Sequence, residues 1–105
     1  MRIHIEGRHT KLEPQLVGKI AEQLDELNTP DEDIFEAQVT LFRHKRCEAA
    51  RIQLLLAGTT LRVTQRGATP DAAVNAAMRE VQEALHDNRV ARSQTAGSRR
   101  VVHAL

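Results

Sequence analysis

Hydrophobic and polar residues alternate along four segments of the chain and recur at helical spacing along two others. Alternation is typical of half-buried strands, and it covers residues 2–6, 34–42, 50–57 and 61–66. Apolar residues three to four positions apart indicate helices with one buried stripe, at residues 12–27 and 70–88. The order β-α-β-β-β-α predicts a single α+β domain, a four-stranded sheet with both helices packed on one face.

The second strand and the last helix make the most specific predictions about the core. The residues of the strand that are expected to point inward are Phe35, Ala37, Val39 and Leu41. The stripe that the helix is expected to bury consists of Val74, Met78, Val81 and Leu85. An antiparallel sheet covered by helices on one face leaves its other face open to solvent.

The boundaries of these elements are marked by turn and capping residues. Gly7 is expected to end the first strand, and Gly58-Thr59 is a tight hairpin signal. Thr69 is suited to cap the last helix because Pro70 follows at its first position. The periodicity fades beyond residue 88, which predicts a folded domain at 1–90 and a flexible basic tail at 91–105.

Composition narrows the class of protein. The lone cysteine, Cys47, excludes an intrachain disulfide and indicates a reducing compartment, so we expect a cytoplasmic protein. The longest apolar run, at 54–57, is far too short to cross a membrane. The chain opens on a strand-like pattern rather than on a signal-peptide core.

Charge is distributed unevenly between the two parts of the chain. Residues 1–40 hold four Lys/Arg against nine Asp/Glu, whereas residues 41–105 hold eleven against five. The second part therefore carries a net charge of +6, a hint of a partner such as nucleic acid. The two aromatic residues, Phe35 and Phe42, are too few for a protein that stacks single-stranded bases on aromatic platforms.

Basic residues are the strongest candidates for a functional surface. Arg43, Lys45 and Arg46 cluster at one predicted hairpin tip, and Arg51 shares the polar faces of adjacent strands with two further arginines. Arginine suits phosphate because its planar fork donates bidentate, charge-assisted hydrogen bonds. The residues predicted to bind RNA are Arg43, Lys45, Arg46, Arg62, Arg66, Arg79, Arg89 and Arg92.

Catalytic and metal-binding patterns are weak by comparison. The five histidines lack metal-ligand spacing, and the glycines are scattered singly rather than grouped in a phosphate-binding loop. His44 lies three residues from Cys47, but a lone cysteine at a hairpin tip is usually incidental. We expect no enzyme, metal, cofactor or small-molecule substrate. A weak alternative is an acylphosphatase-like hydrolase that uses Arg8.

Two segments and their spacing along the chain resemble the ribosome hibernation-promoting factor family, which includes the ribosome-associated inhibitor. One is the opening Ile3-His4-Ile5-Glu6-Gly7, and the other is the strand, turn and helix start at residues 66–75. The resemblance runs from about residue 1 to residue 92 and implies a fold similar in plan to double-stranded RNA-binding domains. It also implies binding of the small ribosomal subunit in the channel used by tRNA and mRNA. Such binding stops translation and preserves idle ribosomes, and this chain is similar to the short members.

The chain departs from this family in charge. Asp71 and Asn75 replace an aromatic and an acid of the family pattern, and acidic residues occupy helix positions that short members usually make basic. On the last helix these acids are Glu80, Glu83 and Asp87. The alternative is a divergent protein-interaction module on the same fold that does not bind ribosomes. Leu55 could then support a homodimer through the open sheet face.

Overall fold

The computed structural model describes residues 1–28 and 34–94, with side chains as far as Asp87. The predicted order of elements is confirmed. The elements are β1 (Arg2–Arg8), α1 (Pro14–Leu27), β2 (Ile34–His44), β3 (Cys47–Leu56), β4 (Thr59–Gly67) and α2 (Pro70–Gln94). The described part contains no helix that is long and apolar enough to cross a membrane.

The four strands form one sheet in the order β1-β2-β3-β4. β1 pairs with β2 in parallel, and the other two pairs are antiparallel, so the sheet is mixed rather than antiparallel throughout. Parallel neighbours need a long crossover connection, and the segment that contains α1 supplies it. The β2–β3 and β3–β4 connections are two-residue turns, at Lys45-Arg46 and Ala57-Gly58.

The strands are longer than the alternating pattern indicated. β1 continues through Gly7, which pairs with Leu41, and ends at Arg8. The prediction that Gly7 ends the strand was therefore wrong. Its missing side chain serves a close approach instead, because a Cβ there would lie 2.7 Å from the Thr10 carbonyl oxygen and 2.9 Å from Leu12 Cγ.

The hydrophobic core lies between the helices and one face of the sheet. α1 contributes Ile20 and Leu24, which are fully buried. The stripe predicted on α2 is confirmed, because Val74, Met78, Val81 and Leu85 are all buried. Buried alanines at Ala73, Ala77 and Ala84 let α2 approach β3 and β4 closely.

Phe35 corrects one prediction about this core. Ala37, Val39 and Leu41 are buried as expected, but Phe35 is 51% exposed. The pairing of β2 with β3 shifts between Ile34 and Glu36, which is an irregularity of the β-bulge kind. The shift breaks the alternation, so that Ile34 rather than Phe35 joins the core.

α2 begins as the capping residues predicted and ends later than expected. The Thr69 hydroxyl accepts a hydrogen bond from the Ala72 amide at 3.1 Å, and the Thr69 carbonyl accepts one from the Ala73 amide at 3.0 Å. The helix continues to Gln94, past residue 88 and past the predicted domain boundary at 90. The rest of the predicted tail lies outside the described residues.

Gly67 lies at the junction between β4 and α2, where there is no room for a side chain. A Cβ at this position would lie 2.6 Å from the Ala73 amide nitrogen and 2.9 Å from the Ala72 carbonyl carbon. Both atoms belong to the backbone and cannot rotate away. We therefore expect Gly67→Ala to lower the free energy of unfolding in urea by about 1–3 kcal/mol.

Gly18→Ala is the matched control, because a Cβ at Gly18 meets no atom within 4 Å. Alanine is favoured over glycine within a helix, so this variant should be more stable than the parent by up to about 1 kcal/mol. A Gly67→Ala variant with the stability of the parent would contradict the close approach of β4 and α2.

Candidate RNA-binding surface

The basic hairpin tip between β2 and β3 contains cations in two different situations. Lys45 and Arg46 form the turn itself, and both are exposed. Lys45 has a φ of 58°, in the left-handed region that non-glycine residues seldom adopt. Within the described part of the chain neither side chain has a carboxylate partner, so both cations are available to an anion.

Arg43 is held by the fold, unlike its two neighbours at the tip. Its guanidinium donates to Glu48 Oε1 at 3.1 Å, and the Thr10 hydroxyl donates to Glu48 Oε2 at 3.0 Å. Glu48 is buried, which makes the compensation of its charge necessary. Arg43 therefore neutralises a carboxylate that also ties the β1–α1 connection to the hairpin.

A second group of arginines lies on the sheet face that the helices do not cover, here called the open face. On β3 and β4 this face is formed by the residues that alternate with the buried ones. They are Arg51, Gln53, Leu55, Thr60, Arg62, Thr64 and Arg66, together with Ala49, which shares their side of β3 but is itself buried. Arg62 Nε donates to Gln53 Oε1 at 2.9 Å, and the guanidinium carbon of Arg51 lies 5.3 Å from the centre of the Phe42 ring.

The remaining predicted RNA-binding residues belong to the helix layer. Arg79 is exposed on α2 and lines a shallow groove with Glu83, His86 and Asp87. It therefore lies in the helix layer, whereas Arg62 and Arg66 lie on the uncovered face of the sheet. Arg89 and Arg92 fall in the last turns of α2, beyond the side chains that the structure describes.

Two of the acidic residues that distinguish this chain have partners within the fold. Asp71 accepts from Lys19 at 2.7 Å, which links the first turn of α2 to α1. Glu80, one of the acids at a helix position that short members usually make basic, is half-buried and accepts a hydrogen bond from the side-chain amide of Gln65 on β4. Both carboxylates are therefore bonded within the fold, and Glu83 and Asp87 remain as exposed acids of α2 that have no basic partner among the described side chains.

A cleft between the helices and the surroundings of Arg8 bear on the alternative of a hydrolase. A cleft of about 520 Å³ separates the starts of the two helices and is lined by residues such as Lys11, Lys19 and Asp71. In the part of the chain that the structure describes, no group of three or more His, Cys, Asp or Glu side chains could hold a metal ion. Arg8, the residue of the hydrolase alternative, donates to Glu6 at 3.0 Å.

Two contacts that shape this surface were not predicted from the sequence. These are the Arg43–Glu48 ion pair and the stacking of Arg51 on Phe42. The first could have been found by assuming a two-residue turn at Lys45-Arg46, which places residues 43 and 48 opposite each other. The second needs the pairing of Phe42 with Ala49, since Arg51 is then a diagonal neighbour of the ring.

Comparison with known proteins gives one family and one fold. Residues 3–92 match the family described as Sigma 54 modulation protein / S30EA ribosomal protein. A ribosomal subunit interface protein from Coxiella burnetii superimposes with a TM-score of 0.78 at 18% identity, over 86% of this chain and 99% of that one. The N-terminal domain of Thermus thermophilus Protein Y gives 0.73 at 24% identity, over 83% and 98%. No curated protein matches in sequence.

The ion pair between Arg43 and Glu48 implies that Arg43 matters for the stability of the domain, unlike Lys45 at the exposed tip. Arg43→Gln should leave the buried Glu48 carboxylate with Thr10 alone, and we expect it to lower the free energy of unfolding by about 1 kcal/mol. Lys45→Gln, the control at the exposed tip, should stay within about 0.5 kcal/mol of the parent. Urea unfolding of both variants measures this, and equal stabilities would show that the pair contributes nothing.

Proposed function

The chain belongs to the Sigma 54 modulation protein / S30EA ribosomal protein family, and from this premise we propose that it is a ribosome-associated translation inhibitor. The observation that carries the proposal is the extent of the match, since residues 3–92 span almost the whole described domain. The resemblance to hibernation-promoting factors rests on the same residues. The protein acts by binding, without catalysis.

The proposed partner is the RNA of the small subunit, in the channel through which tRNA and mRNA pass. A domain that fills this channel excludes the substrates of translation by occupying their place. The described side chains support an RNA partner through exposed cations without carboxylate partners, at the hairpin tip and on the open face. Cations of this kind neutralise phosphates and release counterions, which favours binding at low salt.

Distribution of charge decides which part of the surface faces the RNA. The helix layer exposes Glu83 and Asp87 beside Arg79, so its attraction to phosphate is largely cancelled. The hairpin tip has two cations and no acid among its turn residues. We therefore infer that Lys45 and Arg46 contribute most to the initial attraction of the RNA. Arg43 contributes indirectly, because its ion pair with Glu48 supports the hairpin.

Self-association is a second candidate, favoured by one observation. Leu55 is a large apolar side chain that lies on the open face and is 43% exposed. A homodimer through this face would cover it. Arg51, Arg62 and Arg66 oppose this arrangement, because two copies would bring like charges together.

Co-sedimentation with purified ribosomes across a salt series tests the proposed function. Binding at about one copy per small subunit should weaken steeply with salt and should accompany inhibition of translation in vitro. Lys45→Gln/Arg46→Gln should bind more weakly, with a slope of log K against log salt shallower by about 1.4–1.8. Lys11→Gln/Lys19→Gln removes the same charge from the helix side of the domain and controls for net charge. Ribosome binding that salt does not affect would contradict the mechanism.

Sedimentation equilibrium of the free protein tests the second candidate. We expect a monomer at micromolar concentration, because the open face carries several arginines around one exposed leucine. A tight dimer that Leu55→Ser dissociates would favour the interaction module instead.

A further inference from the structure

We propose that Arg66, Arg51 and Arg62 continue the basic hairpin tip as a track for the sugar-phosphate backbone of one RNA strand along the open face. The inference deepens the proposed function, since it takes ribosomal RNA as the natural partner. It adds Arg51 to the proposed RNA-binding residues, and it states the path of the RNA, which runs from the hairpin tip along β3 and β4.

Register between β3 and β4 places the three arginines in a zigzag. Arg51 on β3 pairs with Thr64 on β4, and Arg62 and Arg66 are the residues two positions on either side of Thr64. Each is therefore a diagonal neighbour of Arg51, at about 7–8 Å. Arg66 pairs with Ala49, three residues from Arg46 of the turn, so the zigzag begins close to the hairpin tip.

The track is long enough to contact several phosphates. Gln53, the residue that pairs with Arg62, lies seven positions after Arg46 along the chain. At about 3.4 Å per residue this corresponds to roughly 24 Å. A surface of this length and regular spacing suits an extended polyanion better than a single small anion.

Contacts within the sheet hold two of these arginines in place. The Phe42 ring lies under the guanidinium of Arg51, and Gln53 accepts from Arg62 Nε. The Gln53 contact uses only Nε of Arg62, so the terminal nitrogens of Arg62 can still donate to a ligand. Stacking on the Phe42 ring likewise leaves the N–H groups in the plane of the Arg51 guanidinium free to donate. All three arginines are exposed, and none has a carboxylate within 4.0 Å among the described side chains.

The composition of the track favours RNA over a second copy of the chain. The part of the open face on β3 and β4 contains three arginines and no acid. Thr64 and Gln53 lie beside the arginines, Thr60 follows at the far end of the face, and all three can hydrogen-bond to phosphate or sugar oxygens. A second copy would present the same cations, whereas a phosphate backbone is complementary to them.

Fluorescence anisotropy with a labelled RNA duplex long enough to span the track is the direct test. Arg51→Gln/Arg62→Gln/Arg66→Gln should weaken binding and make the salt slope shallower by about 2–3. The control is Lys11→Glu/Lys19→Gln, which also lowers the net charge by three but on the helix side of the domain, where Lys19 is paired with Asp71. It should keep most of the affinity and the slope of the parent.

The result that overturns the inference is equal binding by the triple variant and the parent, or an equal loss in the control. Circular dichroism and urea unfolding of each variant establish that it is folded.

Sedimentation of the same variants with ribosomes separates the two proposals. Ribosome binding that the triple variant retains in full contradicts the track and leaves the proposed function. A parent that binds the duplex through these arginines but ignores ribosomes supports the track and contradicts the function. A dimer through this face would contradict both.

Phe42→Leu tests whether the ring positions Arg51. It keeps an apolar side chain over Ala49 but removes the ring face, and we expect affinity for the duplex to fall about two- to fivefold. In the background of Arg51→Gln the same change should have no further effect. Equal losses in both backgrounds would show a structural role for the ring and would contradict positioning.

Discussion

The close approach of β4 to the start of α2 is the constraint on which the arrangement of this domain depends. Gly67 has no side chain, and the backbone of Ala72 and Ala73 occupies the space where one would lie. α2 can therefore turn back at once and pack along β4 and β3 through its buried alanines. Because both helices are used on that side of the sheet, the other side is left for solvent or a partner.

Alternate residues of each strand therefore point to opposite sides of the sheet, one set to the core and the other to the open face. On β4, Leu61 and Val63 are buried under α2, and Arg62 and Arg66 are exposed on the open face. The same alternation on β3 exposes Arg51 between buried Ala50 and Ile52. The chain thus builds a core and a cationic surface from the same strands, without any residue serving both. Acids such as Asp71 and Glu80 are bonded within the helix side of the molecule.

Periodicity and capping were sufficient to predict the order of elements and most of the core, because both depend on local spacing. Pairing between distant segments was not accessible in this way. The parallel position of β1, the bulge that exposes Phe35 and the continuation of β1 through Gly7 all depend on which residues lie opposite. The surface shows the same limit, since Arg43 was grouped with free cations although Glu48 lies across the hairpin from it.

We propose that the hairpin tip and the open face, rather than the helix layer, meet the RNA. A cryo-electron-microscopy reconstruction of the protein bound to the small ribosomal subunit tests it most directly. We predict the domain in the channel used by tRNA and mRNA, with Lys45, Arg46 and the arginines of β3 and β4 against rRNA phosphates. Density that places the exposed acids of α2 against the RNA, with the open face turned to solvent, would contradict the claim.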